Sequence, residues 1–287
     1  MPEPVAAPAL PADVLAALPT FLIIGAAKTG TTSLHRYLDE HPEIAMSSEK
    51  EPMCFESANW TERMAEYREL FTRDAPVRGE ASTAYGAFPW VPEIPDRVHS
   101  LVPDAKIVYV VREPIERMIS HYAQNVWDRF AVRPFDELMD DLEDPMNMPV
   151  WCSRYATQYE RWAERFGDEN VLVLDQRELE RNRGATVRRV FEFLGVDAGF
   201  TSPNWDARHN TAGQHVRQTQ LGERLQRRLP RLYPHLARVP GVRERVAAPV
   251  AKPTLTPPQR ERVVSLLAPE AARLRKLTGL QFDYWSV

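Results

Sequence analysis

Two hydrophobic patterns alternate along the chain between residues 20 and 200. "FLIIGAA" (21–27), "AKIVYVV" (105–111) and "NVLVLDQREL" (170–179) open on continuous apolar runs, as strands buried on both faces of a parallel sheet do. "VRGEAS" (77–82) reads as a further short strand. Between them, apolar residues recur at helical spacing. "TTSLHRYLDEHP" places Leu34, Tyr37 and Leu38 on one face and stops at Pro42. "EPIERMISHYAQNVW" has a proline near its start and aligns Ile115, Met118, Ile119 and Tyr122. "SRYATQYERWAERFG" and "GATVRRVFEFLGV" are helical segments that end at glycine.

Four strands alternating with helices predict a three-layer α/β fold, with a central parallel sheet flanked by helices. Ligands of such sheets bind beyond the carboxyl ends of the strands. Here those ends are Gly25–Lys28, Glu80–Ser82, Arg112 and Asp175, all expected on one edge. Residues 1–19 read as an irregular arm with a turn of helix near Val14 to Leu18, and 20–287 as one domain. Residues 124–153 interrupt the rhythm with two tryptophans, two phenylalanines, three methionines and many acids, and suggest an insertion over an acceptor. From about 204 the pattern weakens: "RHNTAGQHVR" is a loop, "LGERLQRRLPRLY" a basic amphipathic helix and "PGVRERVAAPVAKPTLTPP" a proline-rich connector. A last helix at 258–277 leads to "LQFDYW".

Composition narrows the function. The net charge of −4 argues against a nucleic-acid binder driven by bulk positive charge. Cys54 and Cys152 can form at most one bridge and suggest neither a disulfide framework nor a metal site. The N-terminus is rich in proline and acid without a basic start, and no apolar run reaches the roughly 18 residues of a membrane span. A cytoplasmic enzyme is the expectation.

The first strand runs into "GAAKTGTTS", and backbone N–H groups at the start of a helix form an anion site. Gly25 and Gly30 have the spacing of the ATP and GTP loop, G-x-x-x-x-G-K-[ST], but Thr31 and Thr32 follow, and Lys28 precedes Gly30. A second anion site is suggested where Arg112 ends a strand and Ser120 lies two helical turns on, since a guanidinium fork suits phosphate oxygens. Two sites imply a ligand with phosphates at two separated positions. A kinase or nucleoside-triphosphatase would need a lysine on the β,γ-phosphates, which is missing, and a non-catalytic nucleotide-binding protein would need no acceptor-side base.

"IIGAAKTGTTSL", "SEKEPMCFE", "GEASTAYG" and "KIVYVVREPIERMISHYAQN", in this order and spacing, resemble the sulfotransferases that use 3′-phosphoadenosine 5′-phosphosulfate (PAPS). The likeness covers roughly residues 20–200 and is nearer the bacterial and glycosaminoglycan-modifying branch than the aryl branch. It implies a P-loop-like fold and a donor, PAPS, that leaves 3′-phosphoadenosine 5′-phosphate (PAP). It puts the 5′-phosphosulfate on Lys28, Thr29, Gly30, Thr31 and Thr32, the 3′-phosphate on Arg112 and Ser120, and looser nucleotide contacts on Arg217. The general base maps onto Glu51, with Glu49 and Glu56 as rivals, and Lys50, Glu80, Phe55 and Tyr85 fall on the substrate side. His35, His41 and His121 lie elsewhere than the aryl branch's histidine base, and no histidine stands in "GEASTAYG". Two departures matter: Ala81 stands where glycosaminoglycan enzymes often carry lysine, and no Lys-Gly-Arg occurs near the C-terminus. With the acidic run Asp140, Asp141, Glu143 and Asp144, this favours a small-molecule, lipid or glycoside acceptor in an aromatic-lined pocket over a polyanion.

Overall fold

The structure, a computed structural model, describes residues 8–128, 133–206, 216–229, 247–249 and 252–287, with 232, 236, 239, 241 and 242 between them. Helix α1 (Ala12–Ala17) replaces part of the expected irregular arm and tucks Val14 into the core. Strand β1 (Phe21–Gly25) leads into α2 (Thr31–Asp39), then β2 (Ile44–Met46), α3 (Met64–Arg68) and β3 (Val77–Ala81). After α4 (Ile94–Leu101) come β4 (Lys106–Val111), α5 (Pro114–Trp127), α6 (Phe135–Asp140), α7 (Met148–Trp151) and α8 (Tyr155–Phe166). Strand β5 (Val171–Asp175) is followed by α9 (Gln176–Arg181) and α10 (Arg183–Leu194). The C-terminal third holds β6 (Val216–Gln218), α11 (Gln220–Arg228), β7 (Ala247–Pro249) and the long α12 (Pro257–Thr278).

The main sheet is five-stranded and parallel, in the order β2-β3-β1-β4-β5. Its pleat sorts the apolar runs into two layers. Leu22, Ile24, Ile107, Tyr109 and Val111 face one cluster with Val98, Tyr155, Trp162 and Leu274. Phe21, Ile23, Val108 and Val110 face the other, with Leu34, Leu38, Val187, Val190 and Phe191. Each such aliphatic or aromatic side chain contributes roughly 1.5–3 kcal/mol by burial, so continuous apolar runs are what a sheet covered on both faces requires.

Two elements depart from the sequence reading. The edge strand β2, three residues long, pairs Ile44–Met46 with Val77–Gly79 and was invisible as a hydrophobic run because of its length. The run 170–179 ends as a strand at Asp175, as expected, but its remainder opens α9, which the Asp175 carboxylate caps by accepting the Arg177 N–H at 3.0 Å. The segment 124–153 supplies core as well as surface. Leu138, Met139, Leu142 and Val150 pack with Ile115, Met118, Val263 and Leu267, whereas Trp127 and Met146 stay exposed. The two cysteines are free and buried.

One glycine sets the register beside the site. Gly79 sits opposite Phe21, and a Cβ there would lie 2.1 Å from the Phe21 ring. Gly79→Ala is therefore expected to cost about 1–3 kcal/mol by overpacking. Denaturant unfolding of the variant checks this, and pairing it with Phe21→Leu should recover part of the loss.

Candidate active site

The carboxyl ends of β3, β1 and β4 lie side by side, so the loops that leave them are neighbours. After β1 the chain turns through Lys28, whose φ is +73°, and Gly30, whose φ is +91°, into α2. The left-handed conformation is free for glycine and costs a residue such as lysine roughly 1–2 kcal/mol. The Thr29 hydroxyl, fully buried, donates to the Ala26 carbonyl at 2.7 Å and locks the turn. Thr31 and Thr32 form the first turn of α2, where backbone N–H groups have no intrahelical acceptor. The Lys28 ammonium donates to Gln124 Oε1 on α5 at 2.7 Å. Burial lowers its pKa, Asp128 pulls it back, and repulsion from Lys252 and Arg112 lowers it further. The sequence-predicted loop and Arg112 are thus close enough to feel each other's charge.

Arg112 leaves the end of β4 and is held on one side by Glu116, at 2.8 Å from its Nη2. Its Nε is buried without a hydrogen-bond partner, a donor with nothing to donate to. Ser120, also buried, lies two turns further along α5. Glu113 caps this helix by accepting the Glu116 N–H at 2.6 Å.

Between these two sites lies a residue the sequence reading missed. Arg117 is fully buried, and its guanidinium donates to Ser153 Oγ at 2.9 Å, the Ala27 carbonyl at 3.3 Å, His121 Nδ1 at 3.1 Å and the Pro149 carbonyl. It ties the Lys28 loop to α5 and to the end of the inserted segment. Its signal in the sequence was a charge on the helical stripe of Pro114 and His121. His121 accepts from a guanidinium, so its Nδ1 carries no proton. Burial, then Arg117 and Lys28, depress its pKa well below the ordinary histidine value.

Across β1, the turn after β2 carries Glu51. Its φ is +62° and that of Met53 is +49°, so two non-glycine residues stand in the left-handed region. The Glu51 N–H donates to the Ala81 carbonyl at 3.0 Å. One carboxylate oxygen, Oε2, accepts the Thr83 N–H at 2.6 Å and the Thr83 hydroxyl at 3.2 Å. The other, Oε1, pairs with Lys50. Both side chains keep partial exposure, 21% for Lys50 and 24% for Glu51, so the carboxylate is anchored but reachable.

Other expected site residues sit differently. Phe55 and Tyr85, read as substrate-side, are core: Phe55 is fully buried against Trp60, Tyr67 and Tyr85. The aromatic stretches around them build the hydrophobic interior rather than a pocket wall, with Trp90 left exposed and donating to the rival carboxylate Glu56 at 3.0 Å. Glu80 is fully buried too, and its oxygens accept from Tyr67 and Ser82 at 3.0 and 2.6 Å, so it neither orients Lys50 nor meets solvent. Glu49 is exposed. His41 is structural, bonded to the Asp197 carbonyl and the Glu43 N–H and packed on Phe191 and Phe200. Arg217 belongs to β6, opposite Ala248 of β7, and most of the loop before it lies outside the described residues. Among the described residues no group of His, Cys, Asp and Glu could hold a metal, and no helix is long and apolar enough to cross a membrane.

A parallel sheet whose middle strand leads into a lysine-bearing turn at a helix start, with an arginine at the end of the next strand, brings two cationic groups to one edge. Residues 18–221 match the sulfotransferase domain, and the chain belongs to that family. It is 27% identical to a crystallised sulfotransferase from Alicyclobacillus acidocaldarius, with a TM-score of 0.65 over 94% of this chain and 99% of that one. It is 29% identical over 199 residues to the human bifunctional heparan sulfate N-deacetylase/N-sulfotransferase 2, covering 62% of this chain and 22% of that protein. It is likewise 29% identical over 186 residues to human heparan sulfate glucosamine 3-O-sulfotransferase 3B1, covering 62% of this chain and 46% of that protein. The chain therefore spans less than half the length of these curated relatives.

The depressed pKa of His121 has a stability consequence. Below about pH 6.5 the unfolded chain takes up a proton at this histidine that the folded chain refuses, so stability falls as pH drops through that value. His35, lowered mainly by burial, acts in the same direction. His121→Gln should flatten the loss of denaturant stability between about pH 7.5 and pH 5.5, and an unchanged slope in the variant would remove His121 as a cause.

Proposed function

We propose that the chain transfers the sulfuryl group of PAPS to a hydroxyl or amine of a small-molecule, lipid or glycoside acceptor. The observation that carries this reading is the buried, unpartnered Nε of Arg112 beside the cationic loop at Lys28. A buried guanidinium N–H without an acceptor is costly, and an anion that fills it recovers the deficit. The 3′-phosphate of the donor fits Arg112 and Ser120, and its 5′-phosphosulfate fits Lys28 with the N–H groups of Thr29 to Thr32. Arg217 is retained as a looser contact for the nucleotide.

The donor supplies an activated sulfuryl group. The chain supplies charge and proton handling. Lys28, pre-aimed by Gln124, stabilises the negative charge that develops on the leaving 5′-phosphate. Glu51 takes the acceptor's proton, Thr83 orients its carboxylate, and Lys50 pairs with its other oxygen. The requirement for a metal is absent from this scheme because the leaving group is a single phosphate met by lysine and backbone amides. The kinase alternative lacks a lysine after Gly30. Although the curated relatives are named for heparan sulfate, Ala81 and the acidic run from Asp140 to Asp144 offer a polyanionic chain no cation at those places.

Calorimetric titration without Mg²⁺ tests the reading: PAP should bind at micromolar concentration, and ATP and 5′-AMP should not. Binding of ATP with Mg²⁺ and none of PAP would transfer the chain to the kinase class. Arg112→Ala should weaken PAP far more than 5′-AMP, and an equal loss for both would move the 3′-phosphate elsewhere. Glu51→Gln should keep PAP binding and lose roughly two to four decades of turnover.

A further inference from the structure

The fully buried Glu80 is a charged group for which sulfuryl transfer has no direct use, yet its surroundings point at the base. Its Oε2 accepts the Ser82 hydroxyl at 2.6 Å, and that hydroxyl in turn accepts the Met53 N–H at 3.1 Å. The hydroxyl of Tyr85, whose oxygen accepts the Phe55 N–H at 3.3 Å, adjoins the same carboxylate. One hydroxyl thus relays the carboxylate to the Met53 amide, and a second stands between it and the Phe55 amide of the turn that carries Glu51. A third donor, Tyr67, meets Oε1 at 3.0 Å but leads to no amide of that turn. The turn needs such support, because Glu51 and Met53 both have positive φ.

We propose that Glu80 is a positioning residue for Glu51: as the common acceptor of the Ser82 and Tyr85 hydroxyls it holds the 51–55 turn in the strained conformation that presents the base. This rests on the reading of Glu51 as the base. A carboxylate can accept from three hydroxyls, whereas the protonated acid must donate one hydrogen itself and so reverses or breaks a relay. Burial raises the Glu80 pKa to about 7, against the pull of the Ser82, Tyr85 and Tyr67 hydroxyls and with a small push from the Glu51 charge. The titratable groups that face it are Tyr67 on α3, Tyr85 after β3, and Cys54 and Glu51 on the turn itself. Burial raises Tyr67, Tyr85 and Cys54 above their usual ranges, so none of them carries a charge near neutrality. The relays should then be intact above neutral pH and loosen below it.

Amide hydrogen exchange reads the relays without any acceptor. In Glu80→Gln, the Met53 and Phe55 amides should exchange at least about ten times faster, while amides of β1 and β4 keep their protection. Ser82→Ala should expose Met53 alone and Tyr85→Phe should expose Phe55 alone, and Tyr67→Phe should change neither. Turnover is read with PAPS and 4-nitrophenyl β-D-glucoside as probe. Glu80→Gln should lower kcat by about ten- to hundred-fold, the usual effect of a misplaced catalytic group, with PAP affinity unchanged and the step near pH 7 gone. On a Glu51→Gln background it should add nothing. Unchanged protection at Met53 and Phe55, or Tyr67→Phe lowering turnover as much as Ser82→Ala, overturns the proposal. So does a full additional loss in the double variant while Glu51→Gln alone is impaired. Full turnover in Glu51→Gln instead removes the base, and the exchange result then stands by itself. If Glu80→Gln does not fold, the Ser82 and Tyr85 variants decide.

Discussion

The site depends on the side-by-side pairing of β3, β1 and β4. Because β1 is the middle strand of the five, its exit loop is flanked on one side by the end of β3 and on the other by the end of β4. Lys28 comes from the middle, Arg112 from β4, and the Glu51 turn hangs on β3 through the Ala81 carbonyl and Thr83. Parallel pairing is what sends all three the same way, and two-sided burial is what fixes the pairing, since a slip of one residue would drive Phe21 and Leu22 into the wrong layers.

Two buried charged groups stiffen the ends of this frame, one on each side of β1. On the β4 side Arg117 gathers the Ala27 and Pro149 carbonyls, Ser153 and His121. On the β3 side Glu80 gathers Tyr67 and Ser82. A buried ion without partners costs several kcal/mol, so each is tolerated because neutral dipoles and hydroxyls satisfy it. The cost is useful in both places: the partners are drawn from separate segments, and losing any one leaves a charge unsatisfied. The depressed His121 follows from the same arrangement, since a second cation beside Arg117 would have no counter-charge.

Most of the sheet was legible because two-sided burial writes itself as long apolar runs, as at residues 21–27 and 105–111. The short β2 and the helix α9 were not, because three residues carry no period and a cap is a single side chain. Among candidate site residues, Lys28 and Arg112 stood where strands end, while Thr29 and Glu51 came from the resemblance; the structure brings Lys28, Thr29 and Arg112 into one neighbourhood with Glu51 across β1. Phe55 and Tyr85 misled for a physical reason. An aromatic next to a charged turn looks the same in sequence whether its ring faces a ligand or the core, and here the core cluster with Trp60 and Tyr67 claims both. Arg117 was missed because a single charge within a helical segment does not show in sequence whether it is buried.

The last residues of the chain close the remaining side of this edge. The tail after α12 lies beyond the matched domain, which ends at residue 221. It nevertheless returns to the carboxyl ends of β4 and β5. Ser286 donates to Glu113 Oε1 at 2.8 Å, the carboxylate whose other oxygen caps α5. Trp285 packs on Tyr155, whose hydroxyl meets the Arg112 N–H at 3.4 Å. Tyr284 bonds Asp175, the α9 cap, and stacks under Arg177 at 3.6 Å. Three successive side chains thus brace the two helix starts next to Arg112. Two of these contacts are to the caps Glu113 and Asp175, groups that set where a helix begins. A helix start displaced by even a fraction of a turn would carry Ser120 and the neighbouring Arg112 out of line with the Lys28 loop, so the spacing of these groups depends on residues that touch none of them.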